Sequence, residues 1–434
     1  MEWILVTGYT FLFIALILKL PGFEIPGIRR IWLVSAFCLK VIAGISLGLI
    51  YTYVYPDRST ADTFKFFDDS KLLFNTIFTE PYDFIRMFTG IDGKAPELRE
   101  YYVRMNAWLN TDVMFNDNKT IIRLNVLFQF FSLGNYYVHV VFINFISFIG
   151  LLGIFKTFRQ YLPGSSTILF LTTFFIPSVV FWGSGLLKDG LLLFAFGLLI
   201  YSFNKIVTGE FKIKNYLIFL ISFFLLLFTK LYVIMAIFPG LLAWYWARKN
   251  QGRIAFLKFS ISYLLYVAIL FNIHHLIPKY NVAEILYWKQ QNFYVLAELT
   301  QAKSVIQIPP LGIGVWSIIS NSPTAFFNTL LRPFPGDVNG NMLILISAIE
   351  SIAVLVLGIL AVLYRKKPLV PIQPIVLFSI CFIVLIFILS GLITPILGAL
   401  VRYKVPALPF LIFLFLVILD TEKLKKRIAS IRKK

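Results

Sequence analysis

Asp62, Phe66 and Asp69 fall at i, i+4 and i+7, the spacing of one helical face, and Asp68 lies on the neighbouring face. A carboxylate so placed has two chemical uses. It takes a proton from a hydroxyl as a general base, or it helps hold a divalent cation, Mg or Mn, beside a phosphate, with Asp62 and Asp69 as the ligand pair. The plainer alternative is a polar helix start with Thr60 or Asp62 as N-cap. A second stretch runs from Pro177 to Gly190. Pro177 kinks a helix, Gly183-Ser184-Gly185 breaks it, and the next helix begins at Lys188-Asp189. A helix start with free N–H groups and a lysine attracts an anion, so Ser184, Lys188 and Asp189 read as a phosphate-binding group; a tight interhelical turn is the alternative.

A third stretch is Arg332-Pro333-Phe334-Pro335-Gly336-Asp337. Its prolines stiffen the segment. Arg332 then offers a bidentate fork to phosphate or a sugar carboxylate, unless Asp337 pairs with it. Upstream, Tyr287-Trp288-Lys289-Gln290 mixes aromatic and hydrogen-bonding side chains, which suits a sugar with one apolar ring face and several hydroxyls. Lys230 joins two apolar runs, snorkelling to headgroups or binding phosphate. Arg402 and Lys404 precede the last apolar run. Lys188, Lys230, Arg332, Arg402 and Lys404 are expected to converge as a basic ring around a lipid-linked phosphate. Lys40 and Glu350 lie inside apolar runs and are expected to pair, because an unpaired charge there is costly. His139, His274 and His275 read as structural groups.

These residues must be positioned by elements embedded in lipid. Of the 434 residues 59% are hydrophobic and 14% charged, and mean hydropathy is +0.82. A soluble domain is about half apolar and about a quarter charged. The expected fold class is all-α: one polytopic transmembrane helix bundle over 1–434. Eleven apolar runs approach the length that crosses about 30 Å of hydrocarbon. They are 3–20, 31–54, 136–155, 166–182, 190–207, 215–229, 231–247, 254–274, 341–364, 372–391 and 405–419. The pair around Lys230 reads as a tight hairpin or as one span and a partial one. The first run is followed by Lys19-Leu20-Pro21-Gly22, unlike a signal-peptide cleavage site.

With the amino terminus outside, more than half of the 40 basic residues fall on short cytoplasmic segments, including Lys156, Arg159, Arg248, Lys249 and the tail 420–434. The short outer connections carry only Lys188, Lys230, Arg402 and Lys404. This is the positive-inside pattern. The net charge of +19 is thereby explained by topology and anionic lipid, with no nucleic-acid partner. Both long loops, about 55–135 and 275–340, are then outside and are expected to contain short membrane-parallel helices. No GxxxxGK[ST] or GxGxxG sequence is present, which excludes an ATP-driven pump within this chain. The only two cysteines, Cys38 and Cys381, sit in apolar runs and give no disulfide framework.

The loop-one sequence Asp62-x-x-x-Phe66-Phe67, just after a span, resembles the multi-span GT-C glycosyltransferases. Arg402-Tyr403-x-x-Pro406-x-x-Pro409-Phe410 is similar to a sequence before the last span of such proteins, and the chain as a whole resembles bacterial envelope-polysaccharide membrane proteins. The resemblance implies an inner-membrane enzyme with its site on the periplasmic or outer face. It implies a polyprenyl-phosphate-linked sugar donor and a glycan, lipid or protein acceptor. Asp62 matches the acidic residue that serves that family as catalytic base or metal ligand. The expected activity is therefore transfer of a sugar from that donor. The rival expectations are a polymerase or ligase of pyrophosphate-linked oligosaccharide, in which arginines stabilise the leaving group, and a non-enzymatic flippase of lipid-linked sugar.

Overall fold

A computed structural model describes residues 2–54, 58, 61–109, 116–338, 340–366 and 372–432. Thr60, the N-cap candidate, and the basic residues Lys367, Lys433 and Lys434 lie outside them. The described elements are helical apart from three isolated β-bridges. The reason is chemical: hydrocarbon offers no partner to backbone N–H and C=O groups, so an apolar run satisfies them within itself.

The chain opens with α1 (Glu2–Lys19) and α2 (Arg30–Tyr53). The first long loop folds as α3 (Asp62–Thr79), α4 (Pro81–Thr89), α5 (Arg99–Tyr102) and α6 (Asp117–Ser132). Then come α7 (Tyr136–Tyr161), α8 (Ser166–Phe174), α9 (Pro177–Trp182), α10 (Lys188–Val207), α11 (Ile213–Thr229), α12 (Leu231–Ala247) and α13 (Gly252–Asn272). The second long loop carries α14 (Val282–Leu299) and α15 (Val315–Leu331). The chain closes with α16 (Met342–Leu363), α17 (Pro374–Ile393), α18 (Leu397–Lys404), α19 (Leu408–Ile418) and α20 (Thr421–Arg432).

Among the described residues seven helices, rather than eleven, are long and apolar enough to cross a membrane. They are α2, α7, α10, α13 with its extension to His275, α16, α17 and the stretch Leu397–Ile418, in which a short 3-10 turn joins α18 to α19. Three more apolar helices are shorter: α1, α11 and α12. The run 166–182 does not form one helix. Ile176 is extended (φ −65°, ψ 119°) because the proline after it disfavours the helical region, so α8 and α9 have only nine and six residues. The runs flanking Lys230 are two separate helices, broken where Lys230 takes φ −151° and ψ 83°.

The core is the contact of α7 with α10, whose apolar windows are each 78% buried, against 11% for α13. Glycines make this approach. A Cβ on Gly197 would stand 1.9 Å from the Gly150 carbonyl oxygen, and one on Gly150 would stand 2.1 Å from that of Leu193. On α13 large apolar side chains such as Phe256, Leu264 and Ile269 are exposed. Apolar surface of that extent needs a lipid or protein cover.

The first long loop is a small folded unit. Phe66, Leu73, Met87, Trp108, Ile121 and Val126 bury their side chains in a second core between α3 and α6. Arg86 ties it with contacts of 3.2 Å to Asp83, 2.5 Å to Asp92 and 3.3 Å to Glu97. In the second long loop α15 lies against α17 so closely that a Cβ on Gly391 would stand 2.1 Å from the Ala325 carbonyl oxygen.

Candidate functional site

Helix ends build the site. Asp62 is the first residue of α3, Asp117 of α6 and Lys188 of α10; Lys230 stands between α11 and α12, and Arg402 lies on α18. All five line one open cavity of about 3360 Å³, together with Lys289 of α14. The carboxyl ends of α2 and α13 and the amino end of α16 reach the same cavity, so it sits at one end of the bundle. Basic residues gather at the other end. There Arg159 donates to the Pro26 carbonyl at 2.8 Å, and Arg365 pairs with Leu419 through a backbone bridge.

Arg402 is held between two carboxylates. Its Nε donates to Asp189 Oδ2 at 2.5 Å, and an Nη lies 3.6 Å from Asp62 Oδ2. Asp189 is buried, whereas the Asp62 side chain is 47% exposed. The short, desolvated contact is therefore the anchoring one, and Asp62 keeps a face open to the cavity. Trp182 lies beneath the guanidinium at 5.6 Å. Lys188 Nζ lies 2.8 Å from Asp117 and donates to Asn118 Oδ1 at 2.8 Å, with Asp62 and Lys230 within electrostatic reach. Lys230 sits 6.0 Å from the Tyr232 ring and 5.8 Å from that of Tyr403. Asp189 and Lys188 owe their place to the α7–α10 contact, since both are in the first turn of α10.

Lys40 positions the segment between α9 and α10. Fully buried on α2, it donates to the Gly183 carbonyl at 2.9 Å and to Ser184 Oγ at 3.1 Å. Ser147 and Asn144 of α7 donate to the carbonyls of Gly183 and Ser184, each at 2.9 Å. This corrects two sequence expectations. Lys40 does not pair with Glu350, which accepts the Ser178 N–H at 2.6 Å and has Lys404 as the cation facing it. Ser184 is buried and off the cavity wall, and the N–H groups of Gly183 and Ser184 already donate to Val179 and Phe181, so these two residues do not receive an anion from the cavity.

Other expected site residues lie elsewhere. Asp69 is fully buried, and its carboxylate accepts the N–H groups of Asn106 (2.7 Å) and Ala107 (2.8 Å) and the Asn106 side-chain amide (3.2 Å). Burial pushes its carboxyl above the ordinary range, against the pull of those donors. It shares a helical stripe with Asp62, but residues 106–107 cover it, so it pins loop one instead of facing the cavity. Asp68 forms a two-point pair with Arg58 at 2.8 and 2.7 Å. Asp62 is not an N-cap: Ala61 holds that position, without a capping side chain. Gln290 is buried, donating to Leu392 O at 2.6 Å and accepting Leu311 N–H at 2.9 Å, and so fastens α14 to the end of α17.

Arg332 and Asp337 close on each other at 2.7 Å and do not line the cavity. Lys404 is buried two residues beyond Arg402 and donates to Arg332 O at 2.9 Å and Ser351 Oγ at 3.1 Å. Of the five cations expected to converge, Lys188, Lys230 and Arg402 line the cavity, and Arg332 and Lys404 do not. Side chains two apart on a helix point to different faces, which sends Lys404 away from Arg402. Among the described residues no three His, Cys, Asp or Glu side chains are grouped to share a metal ion. His139 is buried between Asn125 (2.8 Å) and Ser132 (2.9 Å), a satisfied structural group.

Asp117 and Asn118 were not among the residues singled out from sequence. Their signal was present as Asn116-Asp117-Asn118 before an apolar-periodic run, where the Asn116 side chain caps α6 by accepting the Asn118 N–H at 3.1 Å. A capping sequence announces a helix start but does not say what that start faces.

No family model, curated protein or solved structure matches this chain. Fold and site together define its class: a helical protein in which, among the described residues, seven helices are long and apolar enough to cross a membrane, with a charged cavity at one end of the bundle.

Proposed function

We propose that the chain is an integral membrane glycosyltransferase that moves a sugar from a polyprenyl-phosphate donor to an acceptor on the outer face of the membrane. The carrying observation is the gathering of Asp62, Lys188, Lys230 and Arg402 around one cavity. That cavity continues along an apolar wall of Leu227, Met235, Leu270, Phe271, Leu385 and Leu389, chemistry suited to an isoprenoid tail beside a charged head. The positive-inside rule supports the outer orientation: the cavity end is opposite the end at which the short basic connections gather.

In this reading Asp62 takes the proton of the acceptor hydroxyl. The acceptor oxygen forms its bond to the sugar's anomeric carbon as the carbon–oxygen bond to phosphate breaks, and the phosphate leaves with the electron pair. Lys188, Lys230 and Arg402 supply positive potential where that charge develops, the preorganised electrostatic aid that lowers barriers most. Asp62 then releases its proton to water. Arg402 holds the base in place while committed more tightly to Asp189.

The test is transfer from a panel of polyprenyl-phosphate sugars by the protein reconstituted in liposomes. Asp62→Asn is expected to lower transfer by about 10²- to 10⁴-fold. Its folding should stand, because Asp62 is half-exposed and 3.6 Å from its partner. Activity is expected to persist in chelator. Loss in chelator would reassign Asp62 to a metal ligand, and lipid scrambling without transfer would replace the enzyme by a flippase.

A further inference from the structure

Among the described residues the charges lining the cavity do not balance. Of its cations Lys188 faces Asp117 and Arg402 faces Asp62, and among the described residues these two are the only acids on the wall. Lys65, Lys230, Lys279, Lys289 and Lys303 also line it, and none has an acidic partner among the described residues. The imbalance is sorted by structure. The second long loop contributes Lys279, Lys289 and Lys303 to the cavity, but its Glu284 and Glu298 are exposed off the wall, and its Asp337 is closed on Arg332. On α14, at 3.6 residues per turn, Lys289 lies about 140° around the helix from Glu284 and about 180° from Glu298. The helix thus turns its cation inward and its acids away.

Such a wall repels itself until an anion enters, and beside low-dielectric protein and lipid the repulsion is screened less than in open water. The donor phosphate of the proposed reaction meets Lys188, Lys230 and Arg402. Its one or two charges leave the loop-two lysines unmatched on the other wall. Asn292 and Phe293, which line the cavity beside Lys289, supply an amide and an aromatic face. That is the pairing a sugar ring needs, next to a cation.

We propose that the loop-two wall binds the acceptor, and that the acceptor is an anionic glycan bearing repeated carboxylate or phosphate groups. The assignment rests on the glycosyltransferase reading for the word acceptor. The recognition of an anionic glycan rests on the lysine wall alone.

Binding to the full chain in phosphatidylcholine nanodiscs separates the two. The probes are an oligogalacturonide, a phosphorylated mannan oligosaccharide, neutral maltohexaose and farnesyl phosphate. At least one acidic oligosaccharide is expected to bind more tightly than maltohexaose, with an affinity that falls as salt rises. The better of the two identifies carboxylate or phosphate as the group read. Lys279→Gln/Lys289→Gln/Lys303→Gln, all at exposed positions, is expected to keep the wild-type Tm. It should weaken acidic-oligosaccharide binding by roughly tenfold or more and leave farnesyl phosphate binding intact. Equal affinity for acidic and neutral oligosaccharides, or unchanged acidic binding by the triple variant, would overturn the anionic glycan. Displacement of the acidic probe by phosphatidylglycerol, with no reverse displacement, would hand the lysines to lipid. Failure of farnesyl phosphate to bind the wild type strikes the donor reading alone.

Discussion

Arg402 serves two carboxylates of unequal burial, and the inequality assigns their roles. Asp189, sealed in the first turn of α10, has the guanidinium at 2.5 Å as its charge partner. Asp62, 3.6 Å away and partly in solvent, needs no such partner. Removing one member of a buried pair leaves an uncompensated charge, a loss of about 3–5 kcal/mol. Arg402→Met is therefore expected to lower Tm strongly. Adding Asp189→Asn should recover part of the loss, since the orphaned charge is then gone. Thermal denaturation of both single variants and the double variant in the same detergent closes the cycle. Simple addition of the two single losses would show the pair to be uncoupled. Lys40 is the other cation whose partners are fixed by burial, and because those partners are a carbonyl and a hydroxyl it shapes the chain and holds no acid.

Elements position these side chains through backbone contact more than through side-chain packing. Gly150 and Gly197 let α7 and α10 touch, and α10 delivers Lys188 and Asp189 from its first turn. A methyl group on Gly197 meets the Gly150 carbonyl oxygen at 1.9 Å, backbone that cannot yield without separating the helices. Overpacking of this kind costs typically about 1–3 kcal/mol. Gly197→Ala is expected to lower Tm by that measure and to reduce transfer activity, because the start of α10 shifts away from Asp117 and Arg402. Gly8→Ala, on a surface of α1 with nothing within 4 Å, should leave Tm unchanged or slightly raised. If the two variants behave alike, the close contact does not govern the site. The break at Pro177 belongs to the same scale: it ends α8 early, and one short helix later the chain breaks again at Gly183 and Ser184, which Lys40, Asn144 and Ser147 fasten.

At the scale of the whole molecule, alternation of helix ends gathers the site. The ends of α2, α11 and α13 meet the starts of α10, α12, α16 and α18, so ionic residues from stretches more than 300 residues apart share one cavity. The proposed orientation places that cavity outside. A cysteine-free variant (Cys38→Ser/Cys381→Ser) carrying one new cysteine, Lys289→Cys or Lys249→Cys, tests it with a membrane-impermeant thiol reagent on intact cells. Residue 289 is expected to react and residue 249 to stay protected; the reverse pattern would turn the protein over.

The sequence by itself determined the helical class and the position of nearly every apolar helix, and it singled out Asp62, Lys188, Lys230 and Arg402, which line one cavity. Each follows from local rules: apolar length, break-forming residues and the cost of a charge near lipid. It also held the alternative for Arg332, closure on Asp337, without deciding it. Only the tertiary structure decided which charges are free to meet a ligand. Asp69 and Asp62 share a stripe in sequence, yet residues 106–107 fold over one of them. Lys404 and Arg402 are two residues apart, yet they face different neighbours across α18. Lys40 and Glu350 each required a partner and found different ones: Lys40 the Gly183 carbonyl and Ser184 hydroxyl between α9 and α10, Glu350 the Ser178 N–H in the first turn of α9, with Lys404 facing it. Periodicity records which way a side chain points from its own helix, whereas burial and pairing depend on what other helices bring to that face. That is a long-range property which no local window contains.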